Sequence, residues 1–374
     1  MNSPILTILS FLIIFTVVVV SHEFGHYLLA RLNGIRVREF SVGMGPAIFR
    51  KKGKMTELVI RLLPIGGACI FDGEDGKESV IDNKEEEELS GDGDGKKRKR
   101  FRPKAKPFQE APVWGRIAAV VAGPLFNIIL AYLLSLVVIW FTGVSTPVID
   151  EVYDNYPGKA AGLQAGDEIV KIDGHSTHLW DDVRIYTLLS SGDSLHITYL
   201  RNGEKRETDL TPYLDPESGN YFIGIAHKAD NILDCRNLRV LKYSWHNVEF
   251  WLSATIQSLK YMIGGHARLD DLAGPVGVAN IIDDTIEDAA PHGAFTVILS
   301  MFNIAILLSV NLGVLNLLPI PALDGGRLLF LLFEAVSGKK VPPEKEGLVH
   351  LIGFVLLMIL MVVVLINDIG RFFR

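Results

Sequence analysis

A charge-free, mostly apolar run over residues 5–20 leads without a break into His22-Glu23-Phe24-Gly25-His26. With its flanks the run is long enough to cross a bilayer, and in lipid a backbone must satisfy its own polar groups, so the segment is expected to be a helix. Residues four apart share a helix face, so both imidazoles of this H-E-x-x-H can reach one metal ion. Glu23, beside the first histidine, is placed to act as a base on water. The motif has only three fixed positions and recurs by chance on ordinary helices. Its setting singles it out, because three ionisable groups at the end of a membrane-grade stretch are costly unless they bind or react.

The chain is 49% hydrophobic yet 21% charged over 374 residues, a mixture that indicates membrane spans alternating with soluble parts. Four spans are expected, at about residues 4–29, 116–142, 295–318 and 347–366, with His350 interfacial at the start of the fourth. The first has no basic residues before it and no small-x-small cleavage site after it, so it reads as a retained span and not as a signal peptide. Lys and Arg set the orientation. They crowd residues 31–116, including the run 96–100, and recur as Arg327, Lys339, Lys340 and Lys345 between the last two spans. Those two loops are expected in the cytosol. Both termini and the long segment 143–294 are then expected outside. Cys69 and Cys235 lack metal-ligand spacing and read as free thiols.

The first cytosolic loop divides in two. Phe40, Val42 and Met44 alternate with polar or small residues, a Lys-rich turn follows at 51–54, and Leu58, Ile60 and Leu62 resume the alternation. This predicts a hairpin that either lies on the membrane surface or offers a strand edge, at about 56–63, to substrate. Residues 73–107 carry an acidic run at 85–88 and the basic run at 96–100, flanking a Gly-Asp repeat. Such blocks resist packing and read as a charged linker whose basic half suits anionic lipid. The outside segment holds short strands with turns at Asp173-Gly174 and Asn202-Gly203. Its Ala160-Ala161-Gly162-Leu163-Gln164-Ala165-Gly166-Asp167 resembles the PDZ-domain pattern A-x-x-A-G-L-x-x-G-D. Residues 236–265 read as an amphipathic helix, with Trp245, Phe250 and Trp251 as interfacial anchors.

A catalytic zinc takes three protein ligands plus water, so a third ligand is needed beside the two histidines. Asp324, in Asn316-Leu317-Leu318-Pro319-Ile320-Pro321-Ala322-Leu323-Asp324-Gly325-Gly326, is the candidate. The prolines break the third span and the glycines let backbone approach closely. From the residues alone an exposed helix-terminal aspartate is the favoured reading. H-E-F-G-H, then Ala122-Gly123-Pro124-Leu125-Phe126-Asn127, then N-x-x-P-x-P-x-L-D-G-G, in that order, resemble the site-2 protease family of intramembrane zinc metalloproteases. The single PDZ-like insert, Gly274-Pro275-Val276-Gly277 and Asn367-Asp368 also look like its bacterial sigma-E-regulator-protease branch.

That resemblance implies His22, His26 and Asp324 as zinc ligands, Glu23 as catalytic base, and Asn127, Asn311 and Asn316 as substrate-handling residues. For the asparagines, interhelical hydrogen bonding is the competing reading. It further implies membrane-spanning substrates, an upstream first-cut protease and a bacterial inner-membrane location. No nucleic-acid partner is expected. A non-catalytic PDZ scaffold is the alternative function, but a scaffold has no need of Glu23.

The expected architecture is a polytopic α-helical membrane protein of four transmembrane helices, with a membrane-associated β-hairpin and an inserted extracytoplasmic PDZ-like α+β domain. Its segments are 1–34 (first span), 35–72 (hairpin), 73–115 (charged linker), 116–143 (second span), 144–228 (PDZ-like domain), 229–294 (amphipathic helices and linker), 295–326 (third span), 327–346 (cytosolic loop) and 347–374 (fourth span and tail).

Overall fold

The computed structural model describes residues 4–53, 55–73, 105–190, 192–216, 218–228, 230–265 and 274–372. The acidic run 85–88 and the basic run 96–100 lie outside these. Four described helices are long and apolar enough to cross a membrane, over Ile5–Leu32, Val113–Thr142, Ala294–Leu317 and Pro343–Gly370. The helices that contain them are α1 (Pro4–Leu32), α2 (Val113–Thr142), α7 (Ala294–Leu317) and α9 (Pro343–Phe372). Their large exposed apolar faces, such as Leu351, Phe354, Leu356 and Ile359 on α9, are those of helices solvated by lipid. The fourth helix starts earlier than expected, because Pro343 suits a first turn and Glu344 and Glu346 favour its positive end.

Contacts divide the chain into two compact units. The first comprises Met1–Ile129, Ala273–Asp288 and Leu312–Arg374. In it, β1 (Val37–Lys52) and β2 (Glu57–Phe71) form an irregular antiparallel pair. Its tip runs from Lys52↔Glu57 to Ala47↔Arg61, and its base from Val42↔Gly67 to Val37↔Phe71. Phe40 is paired with both Leu58 and Cys69, so β2 curls and its 67–71 segment takes the other side of β1. Apolar side chains at Met44, Ile48, Phe49, Leu58, Ile60 and Leu62 are exposed, a surface suited to lipid. The base packs into a core of Ala30, Ile35, Val37, Phe71, Phe108, Ala119, Val120 and Leu331. The last belongs to α8 (Asp324–Ser337).

Arg116, expected at the cytosolic edge of the second span, is instead only 2% exposed. It is paired with Glu334, and its Nε donates to the Ala111 carbonyl. In the same unit, α6 (Pro275–Ala289) is tied to α1 by Thr7 Oγ1 donating to Asp283 at 2.6 Å. Buried Asp368 of α9 accepts from the Gly277 N–H at 3.0 Å, capping the first turn of α6.

The second unit comprises Leu130–Leu272 and Ala289–Asn311. Its PDZ-like domain has a sheet ordered β6-β5-β7-β8, from β5 (Glu168–Ile172), β6 (His175–Ser176), β7 (Leu195–Arg201) and β8 (Glu204–Leu210). Two-stranded pairs join β3 (Val144–Ser145) to β12 (Ile232–Leu233), β4 (Glu151–Val152) to β11 (Ile225–Ala226), and β9 (Tyr213–Leu214) to β10 (Tyr221–Phe222). Asp173-Gly174 and Asn202-Gly203 turn the two hairpins with φ of 50° and 79°, and 53° and 83°, the paired positive angles such turns need. Helices α3 (Pro157–Ala160) and α4 (Trp180–Leu188) close a core of Ile149, Leu163, Ile169, Ile172, Val183, Ile197 and Tyr199. Buried Asp167, from the resemblance pattern, receives both Nε and Nη2 of Arg201 at 2.7 and 2.8 Å.

The amphipathic helix is α5 (Arg239–Ile263). Phe250 is not an interfacial anchor, because it is buried with Val240, Ala254, Leu179 and Cys235. Trp245 is the exposed aromatic. Burial, and next the neighbouring His246, push the His178 imidazole below its ordinary range. Burial likewise pushes Asp182 up, against the His178 and Leu179 N–H groups that donate to it.

Candidate active site

All the parts that meet around H-E-x-x-H lie in the first unit. His22 and His26 are buried on one face of α1, their Nε2 atoms 3.1 Å apart. After α7 ends at Leu317, Pro319 and Pro321 keep the chain from continuing as helix. It turns back so that α8 begins at Asp324. The reversal is tight. A Cβ on Gly325 would lie 2.1 Å from the Leu318 carbonyl oxygen, and one on Gly326 would lie 2.5 Å from that of Ile320. Ala322 has a left-handed φ of 77°, and its N–H donates to His350 Nδ1 at 2.9 Å. His350 therefore holds the loop that presents Asp324. The result is Asp324 Oδ2 at 3.0 Å from His22 Nε2 and 3.3 Å from His26 Nε2.

These three atoms have the chemistry and spacing of a zinc site. His26 Nδ1–H donates to the Ala119 carbonyl at 2.8 Å, which leaves its Nε2 as a lone pair. The Asn127 carboxamide stands 3.3 Å from His22 Nδ1, where its oxygen end can accept the Nδ1–H. Asp324 Oδ2 is buried and, despite its closeness to both histidines, has no hydrogen-bond donor among the described residues. Lone pairs thus converge at 3.0–3.3 Å, which is unfavourable unless a cation lies among them. Ligands of a tetrahedral zinc, at bonds of roughly 2.0–2.1 Å, stand roughly 3.3–3.4 Å apart. The donor set, N₂O on a fixed scaffold, fits zinc.

Glu23 is half-buried beside the histidines, and the Cys69 N–H of β2 donates to its carboxylate. Gly67 permits this approach, since a Cβ there would lie 3.0 Å from Glu23 Cγ and 3.1 Å from the Ser41 carbonyl oxygen. A cavity of about 350 Å³ opens over the cluster, lined by Glu23, Gly67, Cys69, Leu312, Asn316 and Arg327 among others. The strand segment at the cavity is therefore 67–69, not 56–63.

The three asparagines part company. Asn316 lines the cavity. Asn127 is fully buried, with its carboxamide 3.3 Å from His22 Nδ1. Asn311 belongs to the second unit, where it accepts from Thr255 Oγ1 at 2.5 Å, the interhelical hydrogen bond of the competing reading. The role of Gly123 escaped the sequence reading: a Cβ there would lie 2.3 Å from His26 Nε2 and 2.9 Å from His22 Cε1. His350 was missed as well, because its partner is a backbone N–H 28 residues away.

Residues 10–360 match the model of peptidase family M50. Zinc metalloprotease RasP of Bacillus licheniformis is 33% identical over 98% of this chain and 99% of its own length. The regulator of sigma-W protease RasP of Bacillus subtilis is also 33% identical, over 98% and 99%. The solved PDZ domain of the SdrC-like protein of Listeria innocua is 30% identical over 23% of this chain and 96% of that domain, with a TM-score of 0.20.

Proposed function

The chain belongs to peptidase family M50 and is a multi-pass membrane zinc metalloprotease, and we propose that His22, His26 and Asp324 hold its zinc while Glu23 is the catalytic base. The observation that carries this is the convergence of Asp324 Oδ2 with both Nε2 atoms, beside a half-buried Glu23. When bound, zinc supplies Lewis acidity, which makes water a nucleophile near neutral pH and polarises a peptide carbonyl. Glu23 takes the proton from the attacking water and returns it to the leaving amine. Asn127 and the Ala119 carbonyl hold the two imidazoles in orientation, each through its Nδ1.

The substrate we infer is a single-span membrane protein. A transmembrane helix hides its carbonyls in its own hydrogen bonds, so it must unwind locally before attack. The extended stretch can add to the outer edge of β2 at 67–69, with Asn316 on the same cavity. The name of the Bacillus subtilis relative, regulator of sigma-W protease, points to anti-sigma factors or similar regulators as the substrate class. Such substrates require an earlier cut by another protease that removes the outer domain. The segment division given above, with 73–115 as a cytosolic linker, is part of this proposal.

Purified full-length protein should cleave a single-span substrate lacking its outer domain, a chelator should abolish cleavage, and added zinc should restore it. Cleavage unaffected by chelation would contradict a metal-dependent mechanism. Deletion of residues 148–228 should preserve that cleavage and permit some cleavage of untrimmed substrate, because the PDZ-like domain acts as a size filter outside the membrane. Loss of trimmed-substrate cleavage in a folded, metallated deletion would make the domain a docking site instead.

The basic loops 31–116 and 327–345 are placed in the cytosol, and the termini and residues 143–294 outside the bacterial inner membrane. Single cysteines at Lys97 and Asn202, in a background without Cys69 and Cys235, should label from opposite faces. Labelling of both from one face would refute this orientation.

A further inference from the structure

A second cluster of metal-ligating side chains sits in the second unit, where the PDZ-like domain packs on α5. His178 lies just before Leu179, the N-cap of α4, and its backbone N–H is fixed by Asp182 at 2.8 Å. His246 and Glu249 are three residues apart on α5 and therefore share a face. The two imidazoles stack with centroids 3.8 Å apart and planes inclined by 28°. One ring nitrogen from each histidine and one Glu249 carboxylate oxygen all lie within 4.8 Å of one another.

Packing alone leaves this arrangement unexplained. His246 Nδ1 is 3.1 Å from Glu249 Oε2, while its Nε2 is buried and has no hydrogen-bond partner among the described residues. A buried ring nitrogen without a donor or acceptor is unfavourable. The stacked histidines cannot satisfy each other face to face, and protonating both would set two cations in contact. The surroundings are nonetheless well held. Tyr186 and Ser253 hydroxyls are 2.7 Å apart across the same contact, and Leu179 packs with Val240, Phe250 and Ala254. The candidate ligands are thus carried by two elements already locked together.

We propose that His178, His246 and Glu249 form a second site for a divalent transition metal, with zinc the ion it takes, and that the ion clamps the PDZ-like domain to α5. Two imidazoles and a carboxylate suit zinc, which accepts three protein ligands with water in the fourth position. The in-plane lone pairs of the stacked rings run nearly parallel, so binding requires one imidazole to turn out of the stack toward the other two ligands. Glu249 is half-exposed on the solvent side, which leaves an entry path.

Counting zinc per chain in the full-length protein, purified in detergent and equilibrated with micromolar Zn²⁺, tests this. The parent should retain two equivalents and His22→Ala/His26→Ala one, lost on adding His246→Phe. His246→Phe keeps a ring against His178, and Glu249→Gln alters a half-exposed position, so at least one of these variants should fold as the parent does. Each should reduce the parent from two equivalents to one. Zinc should also protect the 178–249 region of the parent from proteolysis, and should fail to do so in Glu249→Gln. Complete loss of zinc from His22→Ala/His26→Ala, or two equivalents retained by both His246→Phe and Glu249→Gln, would overturn the proposal.

Discussion

Glu23→Gln keeps its zinc and loses proteolysis. Glutamine has nearly the shape of glutamate and retains a carbonyl oxygen to accept the Cys69 N–H, so the packing of Gly67 against Cγ is preserved. What it loses is the ability to take a proton from water and deliver it to the leaving amine. General acid–base catalysis of this kind contributes roughly a hundred- to ten-thousand-fold, and the cleavage rate should fall by that factor. The readout is a cleavage rate on a trimmed single-span substrate, measured beside zinc content. A rate near the parent's with zinc retained would remove Glu23 from the chemistry.

Gly123→Ala is also expected to have a large effect, although it adds one methyl group. The new Cβ would lie 2.3 Å from His26 Nε2, 2.5 Å from His26 Cε1 and 2.9 Å from His22 Cε1. Helix α2 cannot approach by another route, because Gly25 of α1 is already so close that a Cβ there would sit 2.3 Å from the Ala122 carbonyl oxygen. Both imidazoles must therefore swing away from the Asp324 carboxylate, and His26 with them from the Ala119 carbonyl. Zinc affinity should fall by at least the roughly ten- to hundred-fold typical of a disturbed outer-shell contact, with cleavage falling in step. Gly347→Ala is the control, since a Cβ there would meet nothing within 4 Å. Parent-like zinc affinity and rate in Gly123→Ala would show that the imidazoles are not held where the structure has them.

Local chemistry was legible in the sequence, and partnerships across the chain were not. H-E-x-x-H announces a shared helix face, Pro319 and Pro321 announce a broken helix, and Asp173-Gly174 and Asn202-Gly203 announce hairpin turns, because each depends on neighbours in sequence. Alternation stops after Leu62, and 63–71 is apolar, Gly or Pro throughout, so no period marked the part of β2 that reaches Glu23. The signal was Gly67, where a Cβ would crowd Glu23 and Val19 of α1.

Arg116 read as a cytosolic flanking charge because its partner Glu334 is 218 residues away. Phe250 read as a membrane anchor because an amphipathic helix looks alike whether its apolar face meets lipid or a folded domain. Asn127 carries no local sign that it faces His22 and not the cavity.

Asp324 is the ligand that the sequence motif alone leaves open, so it is the sharpest point of test. Zinc per chain in Asp324→Ala, compared with the parent under the same free-zinc concentration and with helical content unchanged, reads it directly. Loss of one equivalent together with loss of cleavage is the expected result; a zinc content equal to the parent's would contradict the assignment of His22, His26 and Asp324 as the catalytic metal site.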